Sequence, residues 1–459
     1  MRPLKVGRRC LSSFKSTTTL KKPSLDVKGI IARSEEMRDV LRRRGLPSAS
    51  LNFLLENRER ERELHRKRDT LIRERKAEGA KLALLKAQKS NLAEVDSVQG
   101  ALTALKPTIT HVANCLSELS EQIHAHAESL PNWLDPTVPQ DPIEPATVSV
   151  INGTSEESII AAMPKNKADH KTIAETFGLV DFTTASRISG SSWYYLVGDA
   201  ALLEQALVQY ALRKAREAGY IMVSPPSIVR KEITHACGFK PRDHNGEKQV
   251  YEIEGESLVL TGTAEIPLGA LHSSSILSWE QLPIKYVGVS RSYRAEAGAN
   301  GKDTTGLYRV HEFTKVELFH FTTPDKSGDE LEELRDFQTS IIKDLGLKAR
   351  FLNMPTTDLG SPAVKKYDCE AWMPGRGSWG ELTSCSNCTD YQSRRLGIRY
   401  KSKEGNFYVH TLNGTAMAVP RVLVALIEQN YDPGTDTIVI PEVLRPYMDG
   451  KSAIFRQSN

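Results

Sequence analysis

Between Leu51 and Leu130 the sequence contains almost no glycine and is dense in charged side chains. The second half of this stretch carries apolar residues at alternating steps of three and four, namely Val95, Val98, Leu102, Leu105, Ile109, Val112, Leu116, Leu119 and Ile123. Such a heptad pattern places one apolar stripe along a helix that packs against another helix. The pattern therefore predicts two long helices, joined near Ala87–Asn91, in an antiparallel hairpin.

The predicted hairpin is long and thin. Helices of about 35 residues would extend roughly 50 Å at about 1.5 Å per residue. A structure of this shape has little core of its own, so we expect it to reach another molecule; a dimerisation coiled coil is the alternative. Pro107 lies inside the heptad pattern and is expected to kink the helix or to loosen one turn. A short amphipathic helix from Asp26 to about Gly45 precedes the hairpin and ends at "RRGLP".

The composition is that of a soluble globular protein with two or three domains. The chain has 459 residues, of which 39% are apolar and 26% charged, and its net charge of +4 is too small to identify a partner. It contains no run of about 18 apolar residues, so we expect no membrane-spanning helix.

Six scattered cysteines favour a reducing compartment. Cys385 and Cys388 form a single CxxC pair, for which buried thiols on a strand are a simpler interpretation than a zinc site.

The first 25 residues have the composition of a targeting segment. Arginine, lysine and hydroxyl residues alternate in "MRPLKVGRRCLSSFKSTTTLKKPSL", and no acidic residue occurs before Asp26. This pattern predicts a mitochondrial transit peptide over residues 1–25 and hence a location in the mitochondrial matrix. A nucleic-acid-binding arm or a disordered tail is the alternative.

The remaining chain divides at a proline-rich linker. We assign residues 26–130 to the helical arm, Pro131–Thr147 to the linker and residues 148–459 to a larger domain. Short apolar strands and helices mix irregularly in that domain, so the predicted fold class is α+β over an antiparallel sheet. No GxxxxGK[ST] loop is present, so a bound nucleotide would not rest on a phosphate-binding loop at a helix N-terminus.

Three segments of this domain carry charge in unusual places. The segment "YRAEAGANGKDTTGLYRVHEFTKVELFHF" (293–321) reads as a strand, a glycine-containing loop and a second strand, with acids and arginines among apolar residues. In "ALVQYALRKAREAGYIMVSPPSIVR" (206–230) a long helix is followed by a strand and prolines. In "NGTAMAVPRVLVALIEQN" (413–430) a strand enters a helix with an arginine near the junction.

In chain order these segments resemble motifs 1, 2 and 3 of the class II aminoacyl-tRNA synthetases. Each motif alone is degenerate, but their order and spacing are specific. The stretches "LTGTAEIPL", "YRAEAG", "GELTSCSNCTDYQSRR" and "HTLNGTA" further resemble the seryl-tRNA synthetase family, which also carries an N-terminal helical hairpin. The resemblance covers nearly the whole chain after residue 25 and, with the basic N-terminus, implies a mitochondrial member of that family.

The resemblance implies an ATP site with Mg²⁺. Arg294 and Arg421 are the implied catalytic cations, with Arg294 at the α-phosphate and the substrate carboxylate and Arg421 at the γ-phosphate. A planar guanidinium suits the first task, since it can hold two anions at once. Glu296 is implied at the adenine amino group and Phe313 on the adenine ring. The implied ATP-binding set also contains Ala295, Arg309, Val310, Leu382, Thr383 and the metal ligands Glu381 and Ser384.

A second implied set would bind L-serine. Its members are Thr263, Ala264, Glu265, Arg294, Glu317, Asn413 and Thr415. Acids suit the ammonium group, and hydroxyls suit the small side chain. Many relatives carry serine where Thr415 stands, a mild departure that keeps the hydroxyl. His311 and His410 are predicted to be structural, because an ionised substrate carboxylate needs no general base.

The implied reaction is the activation of serine to seryl-adenylate, followed by transfer to mitochondrial tRNA(Ser). The hairpin would hold the tRNA through phosphate contacts from Arg58, Arg62, Arg66, Arg73 and Lys76, although about half of its basic residues could instead pair with acids one turn away. Motif 1 implies a homodimer. Two alternatives remain: a paralogue that binds tRNA without activating serine, and a ligase that charges a carrier protein.

Overall fold

The computed structural model describes residues 20, 22–88, 91–140, 144–163, 168–239, 249–295 and 306–456. The helices are Val27–Ala32 (α1), Ser34–Arg43 (α2), Ala49–Ala87 (α3), Leu92–Ser129 (α4), Glu156–Ala162 (α5), His170–Thr176 (α6), Phe182–Ser189 (α7), Asp199–Glu217 (α8), Lys231–Ala236 (α9), Glu265–Gly269 (α10), Ser327–Asp344 (α11), Tyr391–Leu396 (α12) and Val419–Asn430 (α13). Short 3-10 helices span Trp279–Gln281, Thr356–Asp358 and Glu442–Tyr447.

The strands follow the same chain order. They are Ala146–Ile151 (β1), Val180–Asp181 (β2), Tyr195–Leu196 (β3), Ile221–Val223 (β4), Ile228–Arg230 (β5), Leu258–Leu260 (β6), Ile276–Ser278 (β7), Ile284–Tyr293 (β8), Glu312–Thr322 (β9), Ala349–Asn353 (β10), Lys365–Met373 (β11), Ser378–Thr389 (β12), Arg399–Ser402 (β13), Gly405–Tyr408 (β14), His410–Ala418 (β15), Tyr431–Asp432 (β16), Thr437–Val439 (β17) and Ala453–Phe455 (β18).

One 8-stranded sheet organises the larger domain. Its strand order is β1-β10-β11-β12-β15-β9-β8-β4. Every neighbouring pair is antiparallel except β4 and β8 at one end, which run parallel. This mixture of helices and a mainly antiparallel sheet confirms the predicted α+β class.

Helices cover one face of the sheet and leave the other face for smaller elements. The main apolar cluster joins helices α8, α11 and α13 to sheet residues such as Val316, Leu318 and Leu412. A second cluster on the opposite face joins α10 and the short β7 and β13 strands to Phe319 and Phe321. Because successive residues of a strand point to opposite faces, β9 contributes to both clusters.

The N-terminal arm is the helical hairpin that the heptad pattern predicts. Helices α3 and α4 have 39 and 38 residues and lie against each other. All the apolar residues of the pattern are buried or half-buried, so the seam is covered within one chain. The base of the arm has its own core, in which α2 residues Met37, Val40 and Leu41 pack on Leu54 and Leu119.

Pro107 does not interrupt helix α4. The helix runs without a break from Leu92 to Ser129, and Pro107 is exposed. A proline leaves the carbonyl four residues earlier without its helical donor. On the solvated side of the arm, water can satisfy that carbonyl, so the expected kink or loosened turn is absent.

The paired cysteines are not arranged for one metal ion. Cys385 and Cys388 are both free and buried on β12. Cys385 belongs to the apolar cluster under the helices, whereas the Cys388 thiol lies 3.6 Å from the Asn413 amide on the other face. Among the described residues there is no group of three or more His, Cys, Asp or Glu side chains placed to hold a metal. None of the described helices has the length and apolar character needed to cross a membrane.

Candidate active site

The position of strand β9 explains why the 293–321 segment carries charges among apolar residues. Phe313, Lys315 and Glu317 alternate with Thr314 and Val316, so they share the face opposite helices α8 and α11. These three residues line two adjoining cavities. The inner face of the sheet is therefore the floor of the candidate site.

The first cavity contains most of the residues predicted to bind ATP. From the predicted set it is lined by Arg294, Arg309, Val310, Phe313, Glu381, Leu382, Thr383, Ser384 and Arg421. The Arg294 guanidinium lies 5.3 Å from the centre of the Phe313 ring, which leaves an aromatic face and a cation in one pocket.

The second cavity contains the residues predicted to bind serine. Thr263, Glu265, Arg294, Glu317, Asn413 and Thr415 all line it. Arg294, Lys315, Ser384 and Thr415 line both cavities. Two cations and two hydroxyls therefore stand where a ligand in one cavity would meet a ligand in the other.

Glu265 is the centre of a buried hydrogen-bond network in the second cavity. One of its carboxylate oxygens accepts hydrogen bonds from the Gln392 amide at 2.7 Å and from the Asn413 amide at 2.9 Å. Burial and the nearby Glu317 carboxylate raise the pKa of Glu265 to about 7. Its charge therefore changes near neutral pH.

Glu317 has a cationic partner within the same cavity. The Lys315 ammonium lies 2.5 Å from the Glu317 carboxylate, and the Thr263 hydroxyl donates to that carboxylate at 3.3 Å. Both charged side chains are at least nine-tenths buried. Because Lys315 pairs with Glu317, the buried carboxylate is not left as an unpaired charge before a cationic ligand binds.

Arg421 and Glu381 form an ion pair at the far end of the first cavity. Their closest atoms are 2.9 Å apart. Burial opposes the ionisation of Glu381, but the charges of Arg421, Lys366 and Arg294 outweigh it and hold the pKa of the carboxyl well below its usual range. Glu381 is therefore anionic throughout the neutral pH range.

The donors around Glu381 fit a magnesium ion. A carboxylate and the Ser384 hydroxyl are oxygen ligands of the kind that Mg²⁺ prefers, together with phosphate oxygens and water. On the neighbouring strand Asp368 stands opposite Ser384, and one of its buried oxygens has no hydrogen-bond partner among the described residues. The chemistry of the residues present thus agrees with the predicted ligands, Glu381 and Ser384.

The structure places the remaining predicted residues close to these cavities or outside the described residues. Ala264 is fully buried in the second apolar cluster and lines neither cavity. Ala295 follows Arg294, and its N–H donates to the Gln249 carbonyl at 3.2 Å. Glu296 lies outside the described residues.

Sequence reasoning missed several residues of the site. Lys315 could have been found, because it is two residues from both Phe313 and Glu317 on one strand. Tyr308 and Gln392 gave no such signal, since their roles come from contacts across the fold. Tyr308 lines the first cavity, and Gln392 is fully buried behind Glu265.

The histidines and Glu312 have contacts at the edge of the site. His311 Nδ1 is 2.8 Å from the Tyr251 hydroxyl, and the His311 backbone carbonyl accepts from the Arg294 N–H at 2.9 Å. His410 Nδ1 is 2.9 Å from the Ser327 hydroxyl. Glu312, for which the sequence suggested no role, lies 3.7 Å from Arg291. These contacts agree with structural roles for both histidines.

The basic face of the arm is only partly neutralised by its own acids. Arg58 pairs with Glu61, and both Arg62 and Arg66 approach Glu59. Arg73 and Lys76 lie further along α3, are exposed, and form no ion pair with any described residue. The unpaired basic charge is therefore concentrated in the outer half of α3.

Comparison with known proteins agrees with this geometry. Residues 249–430 match the family described as tRNA synthetase class II core domain (G, H, P, S and T), and residues 25–134 match the Seryl-tRNA synthetase N-terminal domain. Serine--tRNA ligase, mitochondrial, from Saccharomyces cerevisiae is 46% identical over 458 residues, which cover 98% of this chain and 100% of the relative. The chain belongs to the seryl-tRNA synthetase family.

Solved synthetase structures share the fold over nearly the whole chain. The seryl-tRNA synthetase of Pyrococcus horikoshii, solved with ATP, superposes with a TM-score of 0.86 at 32% identity and covers 95% of this chain and 100% of its own. The cytoplasmic serine-tRNA ligase of Naegleria fowleri, solved with AMP, gives a TM-score of 0.79 at 26% identity, over 92% of this chain and 96% of its own. Serine–tRNA ligase activity is therefore the activity of this synthetase, and the family predicted from the motifs is confirmed.

Proposed function

We propose that this synthetase activates L-serine with ATP to give seryl-adenylate and then transfers serine to mitochondrial tRNA(Ser). The observation that carries the proposal is the junction between the two cavities, where Arg294, Lys315, Ser384 and Thr415 line both. Activation needs one anion, the serine carboxylate, to approach another, the α-phosphate. A junction with two cations suits that step, because it lowers the repulsion between the reactants.

The first chemical step forms a mixed anhydride. A carboxylate oxygen of serine attacks the α-phosphorus of ATP, and the bond to the bridging oxygen breaks to release pyrophosphate. Arg294 would contact both reacting groups, Phe313 would stack on adenine, and Arg421 would contact the phosphate that leaves. In the second step a ribose hydroxyl at the tRNA 3′ end attacks the serine carbonyl and releases AMP.

The second cavity would recognise serine by its polar groups. Glu265 and Glu317 would accept hydrogen bonds from the ammonium group, while Thr415 and Asn413 lie beside the cavity where the side chain would fit. A site built to bond a hydroxyl disfavours alanine, which would leave buried polar groups unpaired. Threonine would have to be rejected by the lack of space for one more methyl group.

Magnesium would be held by Glu381 and Ser384 and by phosphate oxygens of ATP. Bound there, it would neutralise charge on the phosphates and help to orient them. Because Glu381 is anionic and already faces Arg421, the protein supplies the acidic ligand before ATP arrives. Arg421, next to Glu381, would contact the same phosphates.

The arm would hold the tRNA outside the catalytic domain. Its length of 39 residues in α3 corresponds to a reach of roughly 58 Å at about 1.5 Å per residue. Exposed Arg73 and Lys76 would neutralise phosphates of the tRNA, and contacts of this kind read shape more than sequence. The paired Arg58, Arg62 and Arg66 would contribute less.

A homodimer is supported by one edge of the large sheet, where no described residue pairs with the outer side of β4. Strand β4 ends the strand order, and its Ile221 and Met222 are 54% and 57% exposed. Ile228 on the neighbouring β5 strand is 46% exposed. Apolar side chains on an unpaired edge strand are suited to burial against a second copy.

A mitochondrial location rests on two observations. The S. cerevisiae relative is named mitochondrial and spans the same length. Residues 1–19, which lie outside the described residues, have the basic, hydroxyl-rich composition of a transit peptide. Fusion of residues 1–25 to a fluorescent protein should direct it to the mitochondrial matrix; a cytosolic signal would contradict this assignment.

The decisive test of the function is exchange of labelled pyrophosphate into ATP with each amino acid in turn. We expect exchange with serine, with much weaker exchange for threonine and alanine, and its loss in Arg294→Ala protein of unchanged stability. Charging of purified mitochondrial tRNA(Ser) completes the test. No exchange by well-folded protein would favour a tRNA-binding paralogue, and transfer of serine only to a carrier protein would favour the carrier-protein ligase.

A further inference from the structure

A buried pair, His170 and Glu428, lies outside both cavities and joins distant parts of the synthetase. Glu428 is on α13, the helix that also carries Arg421, and its side chain has no exposed surface. One carboxylate oxygen accepts hydrogen bonds from the His170 backbone N–H and from Nδ1, each at 3.0 Å. The other accepts from the backbone N–H groups of Gly375 at 2.8 Å and Arg376 at 3.4 Å.

The His170 imidazole also contacts the segment that follows the motif 2 loop. His170 Nε2 lies 3.1 Å from the backbone nitrogen of Leu307 and accepts its N–H. Nδ1 must then carry the proton that it donates to Glu428, so the two contacts together set the tautomer. Gly306 has a φ of +78°, and a Cβ at that position would lie 2.2 Å from Nε2, so this close approach requires glycine.

Tyr308, which follows Leu307, lies close to two guanidinium groups. The Tyr308 ring centre is 5.1 Å from the Arg421 guanidinium carbon and 4.7 Å from that of Arg376. The Tyr308 hydroxyl donates to the Glu381 backbone carbonyl at 3.3 Å. Contacts between a guanidinium and an aromatic face favour one orientation of the cation.

These contacts form one continuous chain from Glu428 to the ATP cavity. We propose that His170 is a positioning residue for ATP: anchored by Glu428, it fixes the backbone at Leu307, so that Tyr308 holds Arg421 in place at the triphosphate end. Glu428 also fixes the backbone at Gly375 and Arg376, and the Arg376 guanidinium lies near the same Tyr308 ring. The proposal rests on the proposed role of Arg421 at the ATP phosphates.

Two substitutions of His170 test the roles of its two ring nitrogens separately. In His170→Asn the amide can still donate to Glu428 but leaves the Leu307 N–H without an acceptor. We expect the KM for ATP to rise roughly threefold to tenfold, the range of one lost hydrogen bond, while the KM for serine stays within about twofold. In His170→Gln the amide oxygen can reach the position of Nε2, so most of the loss should be recovered. Both constants are measured by pyrophosphate exchange.

A double-mutant cycle tests whether His170 acts through Tyr308. Tyr308→Leu should raise the KM for ATP, and adding His170→Asn should raise it little further, because the ring that His170 positions is already gone. His410→Asn, the same substitution at a histidine whose Nδ1 contacts Ser327 away from Tyr308, is the matched control and should leave the KM for ATP unchanged. Thermal unfolding of each variant shows whether it is folded at the assay temperature.

Three results would overturn the proposal. They are an unchanged KM for ATP in folded His170→Asn protein, an equal rise in the KM for ATP and for serine, and fully additive effects in the double mutant. If His170→Asn does not fold, His170→Gln and Tyr308→Leu still decide. A clearly raised KM for ATP in folded His170→Gln protein contradicts the role of Nε2, and an unchanged KM for ATP in Tyr308→Leu contradicts the role of the ring. Failure of the wild-type protein to exchange pyrophosphate with serine would instead contradict the proposed function.

Discussion

Among single residues, Glu265 has a charge that depends directly on its burial in the fold. Its pKa is raised to about 7 by burial and by Glu317, so the carboxylate gains a proton as the pH falls below that value. A protonated Glu265 no longer attracts the serine ammonium by charge. We therefore expect the KM for serine to rise as the pH falls through neutrality, measured by pyrophosphate exchange at saturating ATP.

Substitution of the same residue provides the control for that pH profile. Glu265→Gln should have a raised KM for serine at alkaline pH and should lose the pH dependence near neutrality. A variant that keeps the wild-type profile would assign the titration to another group.

Gln392 offers a second test at the same position. Its amide hydrogen bond favours the ionised form of Glu265, so its removal should raise the pKa of Glu265 further. In Gln392→Met, which has a similar volume, the midpoint of the KM profile for serine should move to higher pH. A midpoint that moves to lower pH, or does not move, would contradict this account of the network.

The predictable part of the site consists of residues within recognisable motifs. Arg294, Phe313, Glu317 and Arg421 could be named from the resemblance of their segments to the family's motifs, and strand alternation then brings Phe313 and Glu317 to one face of the sheet. The contacts of Gln392 with Glu265, over 127 residues, and of His170 with Glu428, over 258, have no local pattern. They arise only when α12 and α6 pack against the sheet and α13.

At the scale of secondary structure, the arm was predictable because its pattern repeats. The heptad spacing predicted both helices and their packing, and it outweighed the expected effect of Pro107. The division of basic residues into paired and unpaired groups was not predictable in detail, because it depends on which side chains face each other on α3.

That division leads to a prediction for tRNA binding. Arg73→Gln combined with Lys76→Gln should raise the KM for tRNA and reduce the salt dependence of binding by about one unit of slope for each lost phosphate contact. Pyrophosphate exchange without tRNA should be unchanged, since both residues lie on the arm. The matched control is Arg62→Gln with Arg66→Gln, whose two charges Glu59 partly offsets. Equal effects of the two double substitutions on tRNA binding would contradict the assignment of the main tRNA contacts to the outer half of α3.

At the scale of the whole molecule, strand β4 gives a prediction for assembly. Met222→Asp would place a carboxylate on the apolar edge, and burying it without a partner should weaken dimerisation by more than about tenfold. Light scattering or sedimentation over a range of protein concentrations measures the change. Leu84→Asp, on an arm residue that is 62% exposed, is the control and should leave assembly unchanged. A wild-type monomer at all concentrations would contradict the proposed dimer.

The distribution of buried residues along the arm has a consequence for its motion. The base contains a compact core, whereas in the outer half only Val98 is buried among the described residues. Backbone hydrogen bonds should therefore open more often toward the tip, and amide hydrogens there should exchange with solvent faster than those at the base. A bound tRNA would restrict these openings and slow the exchange at the tip. Part of its binding free energy would then offset the conformational entropy that the outer half of the arm loses.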